Sequence, residues 1–262
     1  VPDYLSVSFS STDYVGHLFG PSSLESEENL RRLDRLLAEL FAFVDERVGL
    51  DQTLIVLSAD HGGTEIPPYL QELGIPSGYV DPSSWDRAPG IAALEERFGV
   101  GEALIASYDH PYLYLDRDLI RERGLDQGEV EDAVAEELTK LPGIAVAVSS
   151  TALREGRTPE LPLIQSIRYN FNLRRSGDVY VVYEPGHFIA DFDGLTVAST
   201  HGSPWSYDSY VPVVFAGWRV GAEAVHRRIL TVDVAPTLSR LLGIKMPSGA
   251  AGSPLVEAFL QR

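Results

Sequence analysis

The chain has 262 residues, 44% of them hydrophobic and 23% charged, with 23 Gly and 17 Pro, and its 21 Lys and Arg against 38 Asp and Glu give a net charge of −17. That length allows one large or two small globular domains with a core of their own. The absence of cysteine excludes disulfides, zinc–thiolate centres and a cysteine nucleophile, so any metal here must take Asp, Glu or His.

No apolar run approaches the ~18–20 residues that cross a bilayer, and no basic stretch followed by a short apolar core opens the chain. A transmembrane or signal segment is therefore not expected within it. The acidic surface repels a phosphate backbone, which argues against a nucleic-acid-binding module. An anionic substrate would need a local remedy for that field, and a bound cation is the compact one. Met246 is the only methionine, so Val1 reads either as the start left after a leader is removed or as the start of a piece of something longer.

No repeat or low-complexity tract interrupts an alternation of strand and helix. Leu5, Val7 and Phe9 alternate within 4–10, which predicts a strand. Ser22 and Glu25 have capping-box spacing, and Leu33, Leu37, Leu40, Val44 and Val48 then recur at helical spacing until Gly49, predicting one long amphipathic helix. The apolar run 53–58 predicts a strand buried on both faces of a parallel sheet, completing a strand–helix–strand unit. The Pro-, Gly- and Ser-rich stretch 64–90 reads as an irregular covering loop.

From 91 to about 184 the pattern changes. Helices are expected at 91–98, 126–140 and 160–170, and strands at 104–108, 112–115, 144–149 and 178–184. This predicts a smaller α+β unit inserted into a main α/β sheet. Strands at 195–199 and 211–216 return to that sheet, and a helix at 231–243 closes the fold at Gly243. The expected domain organisation is 1–90 and 191–262 in the main α/β domain, with 91–190 as the inserted α+β subdomain.

In open α/β sheets ligands gather beyond the carboxyl ends of strands, and three expected strand ends carry the same chemistry. They deliver Asp13 and His17, then Asp60 and His61, then His201. Asp and His suit zinc, manganese or iron, and three such donors plus water make an open catalytic zinc site. Asp13 and His17 share a face if their stretch is helical. Any one Asp-His-Gly or His-Gly-Ser tripeptide arises easily by chance; three at strand ends point to a metal site. His110, ahead of Pro111, reads as structural, and His187 and His226 as surface residues.

These residues sit in motifs that resemble the alkaline phosphatase superfamily, near its bacterial single-chain alkaline phosphatases and its nucleotide pyrophosphatase/phosphodiesterase branch. The motifs are D-x-x-x-H-x-x-G-P at Asp13–Pro21, S-A-D-H-G-G at Ser58–Gly63, R-S-G-D-V at Arg175–Val179, T-H-G-S-P at Thr200–Pro204 with Tyr207-Asp208 and Val211-Pro212 after it, and D-V-A-P-T-L at Asp233–Leu238. The resemblance implies a three-layer α/β/α sheet and a two-zinc site that hydrolyses small phosphate esters, monoesters first and diesters second, through a phospho-enzyme. It implies one zinc on Asp13, His17 and His201 and the other on Asp60 and His61, with Mn²⁺ or Ca²⁺ as lesser alternatives. It also implies periplasmic or secreted localisation.

In that family a further Asp of the second zinc and the Ser or Thr nucleophile precede the Asp13 motif. Only twelve residues do so here, so the chain reads as the C-terminal half of such an enzyme, partnered by a missing N-terminal half and inactive alone. Ser11, Thr12, Thr64 and Ser203 stand near the expected metals but not at the nucleophile position, and no catalytic residue is assigned. Rival readings are a sulfatase, a manganese-dependent mutase of the same frame, or a non-catalytic module with a degenerate site.

Overall fold

The computed structural model describes residues 3–101, 103–192 and 195–259. They divide into two compact units, one formed by the described residues up to 27 and from 63 to 209, the other by those from 28 to 62 and from 210 onward.

The first unit is built on a four-stranded antiparallel sheet in which Ile105–Asp109 pairs Tyr112–Leu115, which pairs Val179–Tyr183, which pairs Ile144–Ser149. Val179–Tyr183 is buried along its whole length, as a strand covered on both faces must be. On one face lie the helices Pro89–Phe98 and Gln127–Thr139, with Ile91, Leu94, Val130, Val134 and Leu138 in the main core. On the other, Ile164 and Ile167 of the helix Ile164–Asn170 pack with Val146, Val148, Tyr180 and Val182. Asp126 caps Gln127–Thr139 by accepting from the Glu129 amide at 2.8 Å. The expected helices and strands of this region are present to within a few residues, and two short helices, Arg117–Glu122 and Ser150–Glu155, stand beyond those expected.

The stretch 64–90 is more regular than its composition suggests. It holds a helix at Pro67–Glu72, a strand at Gly78–Val80 paired parallel with His187–Ile189, and a 3-10 helix at Pro82–Arg87 that buries Trp85. Pro67, Pro82 and Pro89 each start an element, where the missing N–H goes unneeded; read only as a breaker, proline mimics a loop.

Residues 3–9 form no strand, and Tyr4 and Leu5 are 85% and 72% exposed. Alternating apolar residues become a strand only when a neighbour takes up the backbone N–H and C=O groups, and no described strand pairs with this segment. The expected strand–helix–strand unit is therefore not formed. Instead the helix Ser11–Phe19 follows, ending at Gly20, whose φ is +86°.

In the second unit the helix Leu24–Arg47, which begins in the first, runs on to Gly49 (φ +93°). Leu33, Leu37, Leu40 and Val44 form its half-buried stripe as expected, while Val48 is exposed. The cap differs: the Ser26 amide donates to Ser23 Oγ, and Ser22 turns to Glu65. Leu54–Ser58 pairs antiparallel with Val213–Gly217, and Leu57 is 46% exposed, correcting the expectation of a parallel strand buried on both faces. An apolar run of this length marks a strand without marking the direction of its neighbours. The strand expected at 195–199 shrinks to Leu195–Thr196, and the helix expected at 231–243 is a 3-10 turn, Thr231–Asp233, followed by Val234–Leu241.

The D-V-A-P-T-L motif is scaffolding for the second unit. Asp233 accepts from the Leu230 and Ser253 amides at 2.9 and 2.8 Å, and Thr237 Oγ1 donates to the Asp233 carbonyl while accepting from the Leu255 amide. This ties the start of the last helix to the segment that follows it.

Candidate metal centre

Asp13 and His17 stand one turn apart on Ser11–Phe19, so the helix turns both side chains the same way. His17 Nε2 lies 3.4 Å from Asp13 Oδ2, and His201 Nε2 lies 3.6 Å from Asp13 Oδ1. The two imidazole rings are 5.0 Å apart, tilted by 41°. In the first unit the fold thus sets His17 and His201 each against Asp13, from sequence positions almost 190 apart.

The backbone explains how. The His17 carbonyl, in the last turn of its helix, accepts the amides of Ala198 and Ser199 at 2.8 and 3.2 Å. In return His17 Nδ1 meets the Ser199 carbonyl at 2.8 Å. Buried Ser199 donates its hydroxyl to the Thr64 carbonyl at 2.6 Å, and Tyr79 donates to the Ala198 carbonyl at 3.1 Å. A carbonyl can only accept, so Nδ1 of His17 carries a proton and donates it to Ser199, which leaves Nε2 as the nitrogen turned to Asp13.

In the second unit the strand Leu54–Ser58 delivers Asp60 and His61. His61 Nδ1 meets the Gly62 carbonyl at 2.8 Å and Nε2 lies 3.6 Å from Asp60 Oδ2. The proton placement is again Nδ1–H with Nε2 turned to a carboxylate. Asp60 is 89% exposed, His61 25%.

This donor set fits a zinc-type ion on two counts. Metal-binding histidines commonly give their other N–H to a backbone carbonyl or carboxylate, which His17 and His61 both do. Donors at about 2.0–2.2 Å from a tetrahedral ion stand about 3.3–3.6 Å apart. The carboxylate–imidazole spacings of 3.4–3.6 Å fall there, beyond an ordinary hydrogen bond.

Around His201 the loop is held by residues the sequence pattern left without a role. Asp208, 4% exposed, accepts from the Ser203 amide at 2.8 Å and from its hydroxyl at 2.5 Å. Both bonds tie Ser203 to Asp208 within the loop. Trp205 Nε1 donates to the Tyr183 carbonyl at 2.8 Å. His110, expected to be structural, stacks on Tyr183, and burial pushes its imidazole down to about 4. Burial likewise pushes Tyr108 and Tyr183 above the ordinary phenol range. His187 is half-buried in its strand and His226 is exposed.

The R-S-G-D-V motif also proves to be scaffolding. Asp178 is fully buried and accepts from the Leu115 amide at 2.8 Å and from Arg117 Nε and Nη2 at 2.9 and 2.6 Å. Gly177 is obligatory beside it, since a Cβ there would stand 2.8 Å from the Leu113 carbonyl oxygen.

Residues 1–204 match the family model for type I phosphodiesterases and nucleotide pyrophosphatases, and the chain belongs to that family, within the alkaline phosphatase superfamily. It is 35% identical over 260 residues to the alkaline phosphatase PafA of Elizabethkingia meningoseptica, a match covering 99% of this chain and 46% of PafA. It is 35% identical over 261 residues to a Myroides odoratus protein named calcium-transporting ATPase (100% of this chain, 47% of that one). It is also 32% identical over 255 residues to the alkaline phosphatase PhoV of Synechococcus elongatus (97% and 44%). The crystal structure of wild-type PafA superposes with a TM-score of 0.84 over 95% of this chain and 46% of that one. The fold is accordingly the alkaline-phosphatase-like α/β fold. The chain spans about half the length of the curated relatives it matches.

Proposed function

We propose that this chain carries the metal-binding portion of a zinc-dependent phosphohydrolase acting on small phosphate monoesters, with diesters as second substrates. Asp13, His17 and His201 hold one zinc ion, and Asp60 with His61 hold the other. The observation that carries this reading is the repeated geometry of His17 and His61, each with Nδ1 on a backbone carbonyl and Nε2 turned toward a carboxylate 3.4–3.6 Å away.

When bound, zinc would acidify an attacking oxygen and neutralise a leaving one. The work of this chain's residues is to prepare for that. The Ser199 and Gly62 carbonyls fix the imidazole tautomers, and the carboxylates offset the ionic charge. A cation also gives a chain of net charge −17 a local point of attraction for an anionic ester. Among the described residues no helix is long and apolar enough to cross a membrane.

No nucleophile is assigned within the chain, because in the family resemblance that residue and the remaining zinc ligand precede the Asp13 motif. We read the sequence as 1–90 and 191–262 bearing the ligands, with 91–190 inserted between them, and as periplasmic or secreted by family analogy. The test is zinc titration of the chain together with an aryl phosphate assay. Loss of one zinc equivalent in both His17→Ala and His201→Ala, with little turnover, is the expected result. Robust hydrolysis by the chain that His201→Ala abolishes would contradict the assignment of no nucleophile here, and zinc binding indifferent to both substitutions would contradict the metal site itself.

A further inference from the structure

Behind the His201 loop runs a file of hydrogen bonds that uses none of the proposed ligands. The Tyr183 hydroxyl donates to Tyr108 Oη at 2.8 Å, and Tyr108 Oη lies 2.9 Å from His110 Nδ1. The other nitrogen of His110 faces Gly202, where a Cβ would stand 3.0 Å from it. One proton assignment satisfies both hydrogen bonds. Tyr183 spends its proton on Tyr108, Tyr108 spends its own on Nδ1, and the neutral His110 ring therefore carries its proton on Nε2, the nitrogen turned to Gly202. The ring cannot easily turn away, since it lies flat on Tyr183 with centroids 5.7 Å apart and planes at 7°.

Gly202 is the residue next to His201. Its φ of +104° is open to glycine and strained for other residues, and a Cβ there would stand 3.0 Å from His110 Nε2 and 3.2 Å from Cδ2. A peptide with that freedom needs an external hold if the neighbouring side chain is to keep one direction. The following residues are held already, Ser203 by Asp208 and Trp205 by the Tyr183 carbonyl. Tyr183 thus supports the loop twice, through its carbonyl and through Tyr108 and His110.

We infer that His110 is a positioning residue for His201: anchored by Tyr108 and Tyr183, it fixes the Gly202 peptide and so aims the His201 imidazole at Asp13. The inference rests on Asp13, His17 and His201 being the donors of one ion. Its logic is that of outer partners in metal sites, which set ligand direction without touching the ion and whose loss weakens metal binding by about 10–100-fold.

The experiment measures zinc affinity of the chain by competition with a fluorescent chelator, and the visible spectrum of its cobalt(II) form, for wild type, His110→Phe, Tyr108→Phe and His17→Ala. Phenylalanine at 110 keeps a ring against Tyr183 but has no N–H for Gly202. The expected result is an affinity loss of about 10–100-fold at the Asp13 site for His110→Phe, a smaller loss for Tyr108→Phe, altered cobalt spectra in both, and loss of one zinc equivalent in His17→Ala. If His110→Phe and Tyr108→Phe bind zinc within twofold of wild type while His17→Ala loses that equivalent, positioning by His110 is overturned and the metal site stands. If His17→Ala binds normally, the metal site falls and this inference with it. Should His110→Phe fail to fold, Tyr108→Phe decides: an unchanged affinity and spectrum overturns the role.

Discussion

Replacing Asp178 by Asn tests whether the R-S-G-D-V motif holds the sheet that carries Tyr183. The carboxylate is fully buried, with Oδ2 on the Leu115 amide and Oδ1 on Arg117 Nε and Nη2 and, at 3.3 Å, on Gln127 Nε2. An asparagine amide must turn its NH₂ toward one of those donors. Facing Arg117 is the cheaper choice, because that side chain is 55% exposed and can swing to water. The substitution then loses charge-assisted hydrogen bonds of about 1.5–3 kcal/mol each, discounted for Arg117's exposure. It also removes a buried charge, which offsets part of the loss. The net is about 2–3 kcal/mol, which in a unit of this size lowers the thermal midpoint by roughly 4–12 °C. Urea and thermal melts of Asp178→Asn, Arg117→Met and the double variant measure it, and the double variant should lose clearly less than the sum of the singles. A loss below about 0.5 kcal/mol for Asp178→Asn, or strict additivity, would refute the reasoning.

Gly217→Ala should be severe, since a Cβ there would stand 2.1 Å from the Thr53 carbonyl oxygen at φ +82°; a loss of about 3 kcal/mol is expected in urea melts. Gly243→Ala, with φ +65° and open space around it, should lose only the left-handed backbone penalty of about 1–2 kcal/mol, and equal losses at the two positions would contradict the steric argument. Hydrogen bonding from Arg227 holds the Glu257 carboxyl at about 2. A depressed acid stabilises the fold fully above its ordinary value of 4.5 and loses that contribution as pH falls from there to about 2. Carboxyl NMR should show the low midpoint in wild type and an ordinary one in Arg227→Ala; an ordinary midpoint in both would remove the pair from the account.

How much of this was legible in the sequence depended on whether a pattern carried its own partner. Leu33, Leu37, Leu40 and Val44 read correctly as a helix stripe because helical hydrogen bonds are local. The strands between 105 and 183 were legible because helices and turns of the same region cover them. Leu5, Val7 and Phe9 misled because a strand needs a neighbour that no periodicity within the segment reveals, and Leu54–Ser58 misled about direction for the same reason. In 64–90, prolines starting short elements looked like prolines ending them.

The candidate site divides along similar lines. Asp13 and His17 were legible through their four-residue spacing, and Asp60, His61 and His201 through the residue types following strand patterns. The hold on the His201 loop was not, because Tyr108, His110 and Tyr183 reach Gly202 only through tertiary folding. The sole signal for His110 was its place before Pro111, which suggested structure without saying what it would support. Asp208 and Trp205 lay in or near a motif, yet nothing in their spacing indicated that one would hold Ser203 and the other Tyr183.

Zinc-edge anomalous diffraction from crystals of the zinc-loaded protein is the most direct measurement. The account predicts a peak at about 2.0–2.2 Å from a carboxylate oxygen of Asp13 and from Nε2 of both His17 and His201. A zinc-loaded crystal with no peak among those three atoms would contradict it.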